Sequence, residues 1–576
     1  MKQELEDALA EIIQTIFSVN VIPVFTRPDE QFGDYTTNVA MRLASRLQKK
    51  SREIADVLAD AVRAQLDERV ESITVAGPGF LNITLHDRLI CEAMYLEPTQ
   101  LLTGQVIVAE YSDPNPFKVL HAGHLYTSIV GDAIANLCEA AGGEVHRVNF
   151  GGDVGLHVAK TMWALLFYTT DGHSDNLEMA LTTVQVYAKK SLAERAAWLA
   201  SNYVKGTQAY EDPVDNTAKE AITSMNGEIY RLHTADDHSS LFAQIYWLCR
   251  EWSYAYFDDF YAHIGTKFEK YYPESETASI GLSTVQEEYK KGVYEKSDGA
   301  IVFKGEPYGL HTRVFINSNG LPTYEAKDVG LIMAKWRDYH FDQSIVITAN
   351  DIVEYMKVVL KSIEQFAPEL ALATTHLTHG VVKLAGGVKM SSRKGNFLRA
   401  TDVLDVATKA SMSATGKSEP KTVLGAVKYA FLKQRMGGDI IYEPEDSVSI
   451  QGNSGPYLQY AHARACSILR KIATSVDSPE SIADISKNVS FDPAERSLAR
   501  KIAQYSEVVD MAIHEYMPHY VATYLYELAQ VFNRFYEHNR VLYDERQLLR
   551  TVLVERYVYV LKTGLELLGI DAPETM

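Results

Sequence analysis

Cysteine is scarce in this chain, with four in 576 residues, at Cys91, Cys138, Cys249 and Cys466. They are scattered, and no Cys-x-x-Cys pair exists, which argues against a protein-bound zinc; buried reduced thiols are the expectation. Long apolar runs are missing too, so no segment suits a bilayer span and no membrane partner is expected. Positive charge is in short supply: 56 Lys and Arg face 75 Asp and Glu, a net charge of −19. That is the reverse of a generic nucleic-acid binder, although net acidity serves solubility and leaves room for local basic sites. Met1 to Asn20 is acidic and amphipathic, unlike a signal or transit peptide, and a cytoplasmic location is the expectation. Repeats and low-complexity tracts are absent.

The length is too great for one core and predicts three or four domains, with the composition of an ordinary globular protein, 46% hydrophobic and 23% charged. The stretch that organises them runs from Val106 to Asn149. Gln105 to Glu110 is a short β-branched run suited to a buried parallel strand. Ser112-Asp-Pro-Asn-Pro116 ends it, because two prolines leave no room for ladder pairing. Ile129, Val130, Ala133, Ile134 and Leu137 then fall on one helical stripe, stopped by Gly142-Gly143, and Glu144 opens the next strand. The whole predicts a βαβ unit.

His121 and His124 share a face at the start of that helix, and Gly123 permits close approach to the backbone. With the free N–H groups and positive dipole end of the helix they form a site for nucleotide phosphates. Taken alone, the two histidines read equally well as caps of a turn. Lys389-Met390-Ser391-Ser392-Arg393-Lys394 follows Gly386-Gly387 and carries three cations and two hydroxyls, as a loop closing over a triphosphate would. Taken alone, it reads equally well as a solvated basic loop.

Together these motifs resemble the class I aminoacyl-tRNA synthetases. Glu110-Tyr-Ser-Asp-Pro-Asn115, Gly152-Asp153-Val-Gly155, Tyr324-Glu-Ala-Lys-Asp328 and Gly455-Pro-Tyr-Leu-Gln-Tyr-Ala-His-Ala-Arg464 are similar to the arginyl-tRNA synthetases, over nearly the whole chain. The resemblance implies a multidomain α/β protein: a Rossmann-like catalytic lobe with helical insertions, a small α+β N-terminal domain and a C-terminal all-α anticodon-binding bundle. The expected bounds are 1–92 for the N-terminal domain, 103–410 for the lobe with insertions over about 165–300, 411–450 for a stem-contact linker and 451–576 for the bundle. The implied reaction is activation of L-arginine by ATP with Mg²⁺, then transfer to the 3′-terminal ribose of tRNA(Arg), using the 2′-hydroxyl first and needing bound tRNA. A monomer is the implied state. Glutamyl or cysteinyl synthetases and a non-catalytic tRNA-binding relative are the alternatives.

The same resemblance assigns roles. His121, Gly123 and His124 meet ATP, and Lys389, Met390, Ser391, Ser392, Arg393 and Lys394 clamp the leaving pyrophosphate. Ser392 stands where the general class I pattern has a second lysine, and Lys118, just upstream of the histidines, is the expected substitute. Glu110 and Asp328 are the pocket acids, Asn115 and His124 meet the α-amino and carboxylate ends, and Tyr324 walls the side chain. Asn350 lies near a position where the family often has glutamine. Phe80 and Asn82, in the N-terminal module that touches the tRNA elbow, and Tyr457 and Tyr460, in the bundle, are the expected RNA contacts. Read without the family, Phe80 serves equally well as core and Asn82 as a polar strand residue, and Tyr457 and Tyr460 read first as core aromatics.

Amphipathic helices are expected around Ala40 to Leu47 and Ile54 to Val62, and a turn with an alternating strand from Val75 to Leu85. Thr161 to about Asp298 reads as helical insertion, with Trp247, Trp252, Tyr254, Tyr256 and Tyr261 as helix packing. The second half-sheet is expected at Ser344–Thr348 and near Gly380–Val382, with a helix over Asp351–Phe366 between them. Tyr524, Leu525, Leu528, Val531, Phe532 and Phe535 trace one face of a bundle helix.

Overall fold

The computed structural model of the chain describes residues 1–172, 176–214, 216–385, 398–473 and 489–576. Near the N-terminus, β1 (Tyr35–Thr37), β2 (Val70–Ala76) and β3 (Phe80–Leu85) form an antiparallel sheet in the order β1-β3-β2. The helices Val39–Leu47 and Ser51–Gln65 cover it, the second burying Ile54, Ala55, Leu58, Ala59 and Val62 as one stripe. Gly77 and Gly79, both at positive φ, turn β2 into β3.

The central sheet is entirely parallel. Its strands are β4 (Val106–Glu110), β5 (Glu144–Gly151), β6 (Lys270–Pro273), β10 (Gln343–Ala349) and β11 (Thr374–His379), in the order β11-β10-β4-β5-β6. β7 (Glu295–Ser297), β8 (Ala300–Phe303) and β9 (Arg313–Ile316) make a separate antiparallel sheet. The chain therefore leaves β4 toward β5 on one side and returns to β10 on the other, so the carboxyl ends of β4 and β10 flank a switch-point crevice. The helix Ala122–Ala140 links β4 to β5, buried along most of its length; Gly131 makes room for the Tyr111 ring, 2.2 Å from where a Cβ would stand.

Two sequence expectations are corrected here. The insertion does not run unbroken to residue 300: β6 and the helix Glu274–Lys290 belong to the central lobe. The helical insertion proper comprises Leu156–Thr169, Leu177–Tyr187, Leu192–Tyr210, Thr217–Thr234 and Leu241–Ile264, around a core of its own. On the last of these helices Trp252, Tyr256 and Tyr261 are buried, as helix packing requires. The last strand of the half-sheet is β11 rather than Gly380–Val382; β12 (Val382–Leu384) pairs instead with β13 (Ile440–Tyr442). All four cysteines are free and buried.

The helices Glu274–Lys290 and Tyr324–Tyr339 cross in close contact at two glycines. A Cβ on Gly281 would lie 1.8 Å from the Ala326 carbonyl oxygen, and one on Gly330 2.0 Å from that of Thr277. This crossing sets the height at which Tyr324, Lys327 and Asp328 stand over the strand ends.

Beyond the lobe, Ala400–Thr415 and Pro420–Leu432 lead into a bundle of Gly455–Ala473, Pro493–Ile502, Tyr505–Glu515, His519–His538 and Gln547–Leu567. Tyr524, Leu525, Leu528, Phe532 and Phe535 are buried along one face of the fourth of these helices. The N-terminal module docks on this bundle through charge. Asp34, with no exposed surface, accepts from Arg496 Nη2 (2.8 Å), Arg500 Nε (3.1 Å) and the Leu85 backbone N–H (2.8 Å). Arg27 pairs with Glu507 at 2.7 Å, and Tyr35 donates to the same carboxylate. Asp34 and Tyr35 are thus both occupied in joining domains.

Asp34→Ala leaves two arginines facing a buried gap, and removing one partner of such a cluster costs about 3–5 kcal/mol. Chemical denaturation should show that loss, with faster proteolysis between residues 94 and 105; an unchanged unfolding midpoint would contradict the docking role.

Candidate active site

The helix that begins at Ala122 is capped by its own histidines. His121 Nδ1 accepts from the backbone N–H of Gly123 (3.1 Å) and of His124 (3.4 Å), and the His121 N–H donates to His124 Nδ1 (3.1 Å). The rings stack at 3.7 Å. A Cβ on Gly123 would fall 2.9 Å from the His121 ring, so the glycine is needed for the cap as well as for ligand approach. Burial and the nearby Lys118 drive His121 down to about 4; burial and His121 drive His124 well below its ordinary value. Both rings are therefore neutral at pH 7, and because Nδ1 accepts in each, each proton sits on Nε2. The turn-cap reading is realised through Nδ1, and Nε2–H is the remaining ring donor of each histidine.

Lys118 is largely buried, its Nζ 4.4 Å from the centre of the Tyr203 ring, and burial lowers it to about 8. The Thr127 hydroxyl lies 2.8 Å from the Gly123 carbonyl and 2.6 Å from His379 Nε2, tying the helix start to the end of β11. The expected clamp, Lys389 to Lys394, lies outside the described residues. Its flank does not: Leu398 accepts from the Ala122 N–H at 2.8 Å, and the Ala400 N–H donates to Leu120 at 3.0 Å. The chain following the basic segment is thereby laddered to the residues on either side of His121.

Carboxylates gather on the other side of the crevice. Glu110, at the end of β4, is buried and paired with Lys335, which also donates to Ser344 Oγ at 2.9 Å. Asp328 receives the Tyr355 hydroxyl, and burial pushes it up to about 7, with Glu110 adding to the shift. Asp113 accepts from the Phe150 N–H at 2.8 Å. Glu274 forms a buried pair with Lys327 at 2.6 Å, and Lys327 Nζ lies 5.0 Å from the centre of the half-exposed Tyr324 ring. Asn115 Oδ1 accepts from the Gly152 N–H at 3.0 Å. Asp153, fully buried, accepts from Arg250 Nε (2.9 Å), Ser275 N (2.9 Å) and Ser275 Oγ (2.7 Å), and so fixes Gly152 and the start of the Glu274 helix.

Glu110, Asn115, Lys118, His121, Gly123 and His124 thus stand on the end of β4, the segment that follows it and the first turn of the next helix, while Tyr324 and Asp328 stand on the first turns of the helix Tyr324–Tyr339. Lys335, Glu274, Lys327 and Asp113 were not among the expected site residues. Lys327 and Asp113 lie within quoted motifs but were given no role there, and Lys335 and Glu274 showed only charge on a helix; Lys335, Glu274 and Lys327 have partners 53 or more residues distant, which spacing cannot reveal. Asn350 donates to the Gly437 carbonyl at 2.8 Å, a link to a neighbouring loop.

The expected RNA residues lie far from the crevice. Phe80 is exposed, whereas Asn82 is buried and accepts from Thr36 Oγ1 at 2.7 Å. Tyr460 is exposed; the Tyr457 hydroxyl accepts from Asn533 at 2.8 Å. The C-terminal tail is tied down, with His462 donating to the Pro573 carbonyl at 2.8 Å.

Comparison with known proteins follows the same division of the chain. Residues 1–85 match the family described as arginyl tRNA synthetase N terminal domain, residues 88–443 the class I (R) tRNA synthetase catalytic domain, and residues 458–576 the DALR anticodon binding domain. An arginine–tRNA ligase of Phocaeicola vulgatus is 26% identical over the whole of both chains; one of Flavobacterium psychrophilum is 29% identical over 88% of this chain and 87% of its own. The arginyl-tRNA synthetase of Thermus thermophilus superposes with a TM-score of 0.78 at 26% identity, covering both chains fully. That of Plasmodium falciparum superposes at 0.77 with 21% identity, covering 100% of this chain and 99% of its own, a likeness of fold.

Asp328 faces Glu110, Asp113, Glu274, Lys335 and Tyr355, and below about pH 7 it holds a proton that a cationic ligand must displace. Cation binding at pH 6 should release a proton, and affinity should weaken by up to about tenfold per pH unit below 7. Calorimetry in buffers of differing ionisation enthalpy measures both; proton-neutral binding at pH 6 would contradict it.

Proposed function

The chain belongs to the class I arginyl-tRNA synthetases and is an ATP-dependent arginine–tRNA ligase, and from that premise we propose how its residues divide the work. The observation that carries the proposal is the meeting, at one switch-point crevice, of a neutral histidine pair on a helix N-terminus with acids short of a cation.

In the first step the arginine carboxylate, already ionised at pH 7, attacks the α-phosphorus of ATP in line, and pyrophosphate leaves. No general base is required, so the protein's task is to position the reactants and stabilise charge that develops on phosphoryl oxygens. His121 and His124 donate from Nε2, and Gly123 admits the nucleotide against the helix start. Lys118 supplies the cation that Ser392 cannot, while Lys389, Arg393, Lys394 and the intervening Met390 and Ser391 close from the laddered flank. Mg²⁺ enters as part of the ATP substrate.

The side-chain pocket is acidic. Asp328 accepts from the guanidinium, whose five donors match carboxylate geometry. Glu110, neutralised by Lys335, forms the floor, and Tyr324 walls the aliphatic stem. Asn115 and His124 stand toward the α-amino and carboxylate ends. A glutamate substrate would meet these acids with like charge, which disfavours the glutamyl alternative. In the second step a hydroxyl of the terminal ribose of tRNA attacks the adenylate carbonyl, and AMP leaves. Phe80 and Tyr460, both exposed on domains remote from the crevice, are proposed to stack on tRNA bases, with Asn82 and Tyr457 beside them.

Pyrophosphate exchange assayed with each amino acid should proceed with arginine alone and be strengthened by tRNA; equal exchange with glutamate would remove the assignment. Asp328→Ala should raise the KM for arginine by about 100-fold with a smaller effect on kcat, as loss of a charge-assisted bond would. His124→Ala should lower kcat by about 100-fold or more. Lys118→Ala should cripple adenylate formation, and near-normal turnover would hand its role to Arg393 or Lys394.

A further inference from the structure

Of the acids at the crevice, Glu110 is matched by Lys335 and Glu274 by Lys327. Among the described residues neither Asp113 nor Asp328 has an ion-pair partner. Asp328 drew a role from its motif; Asp113, inside the Glu110–Asn115 motif, drew none. It stands three residues beyond β4, in the segment that ends the strand, and both it and Ser112 adopt left-handed backbone, φ 48° and 77°. Such conformations in non-glycine residues persist where the surroundings hold them, commonly at ligand sites.

One oxygen of Asp113 is anchored by the Phe150 N–H, so the carboxylate is fixed between the ends of β4 and β5. Its charged neighbours are Glu110 and Asp328, both repulsive, and Lys335, already engaged by Glu110 and Ser344. Burial first, and Glu110 second, hold Asp113 well above the usual carboxylate range. An asparagine would accept from Phe150 equally well, tolerates left-handed backbone and would meet no repulsion. Burial and the two acids thus outweigh the help of Lys335, and ionising this carboxyl in the empty fold is unfavourable; a cationic ligand is what offsets that.

Arginine brings two cations, the guanidinium and the α-ammonium, whose donors exceed what Asp328 can accept while it also takes the Tyr355 hydroxyl. We propose that Asp113 is a specificity-determining residue whose carboxylate, with that of Asp328, receives a cationic group of the bound arginine. The proposal rests on the reading that the chain binds arginine.

Asp113→Asn tests it, because the amide oxygen keeps the Phe150 bond and removes only the charge. Calorimetric dissociation constants are measured on the full chain for arginine and ATP, with inhibition constants for citrulline, which lacks the guanidinium charge, and 5-guanidinopentanoate, which lacks the α-ammonium. The variant should bind arginine on the order of tenfold or more weakly, with ATP affinity unchanged. Preserved citrulline affinity would place Asp113 at the guanidinium, and preserved 5-guanidinopentanoate affinity at the α-ammonium; either supports the proposal. Wild-type arginine affinity in the variant would overturn it, as would equal weakening of all four ligands, the mark of a structural role. Failure of the unmodified chain to bind arginine would instead refute the functional reading on which the proposal stands.

Discussion

Carboxyl groups drawn out of water without a matching cation are the constraint on which the site depends. A carboxylate removed from water is costly unless it is paired, and proteins ordinarily pair it or protonate it. Lys335 and Lys327 settle two of the acids at the crevice. Asp328 is left in its neutral form up to about pH 7, as a group in want of a partner. The ligand that best relieves that arrangement is planar and permanently cationic, with several donors, which is what the arginine side chain offers.

The scaffold serves this arrangement at several removes. Reversal of strand order at β4 opens a crevice between β4 and β10, and the glycine contacts at Gly281 and Gly330 bring the Asp328 helix down over it. On the opposite wall the histidines are kept neutral by burial and by Lys118, so they carry N–H donors without adding a fixed charge. In the proposed division of work, the Glu110 acid and the histidine donors are separated only by the segment from Tyr111 to Leu120. Left-handed backbone at Ser112, Asp113 and Phe117 gives that segment its shape. At a larger scale, Asp34, Arg496 and Arg500 bind the N-terminal module to the bundle, so that exposed Phe80 and Tyr460 belong to one connected surface support.

Much of this was legible in the sequence where local chemistry determines structure. The βαβ unit announced itself through β-branched strands, proline punctuation and a 3.6-residue stripe, and the His-x-Gly-His sits where that pattern placed it. β6 escaped because Lys-Tyr-Tyr-Pro is short, partly polar and set between long helices, with no alternation to mark it. β11 escaped because Thr-Thr-His-Leu-Thr-His carries little apolar signal; its burial comes from neighbours in the sheet and from the Thr127–His379 contact. Motifs gave Glu110 but not its partner: Lys335 looked like an ordinary helix lysine, and only the fold brings it 225 residues back along the chain to that carboxylate. Asp34 gave no local signal either: its partners Arg496 and Arg500 lie more than 460 residues away, and only the fold makes it the joint between two domains.

The central claim is that Asp328 is a cation-seeking acid, kept from ionising by its surroundings. Carbon-13 NMR of the aspartate carboxyls, with Asp328→Asn to assign the signal, measures it directly. The account predicts titration near 7 in the free protein and a fall into or below the ordinary carboxylate range, about 4, when arginine is bound. A free-protein midpoint already near 4, or one that arginine does not move, would contradict it.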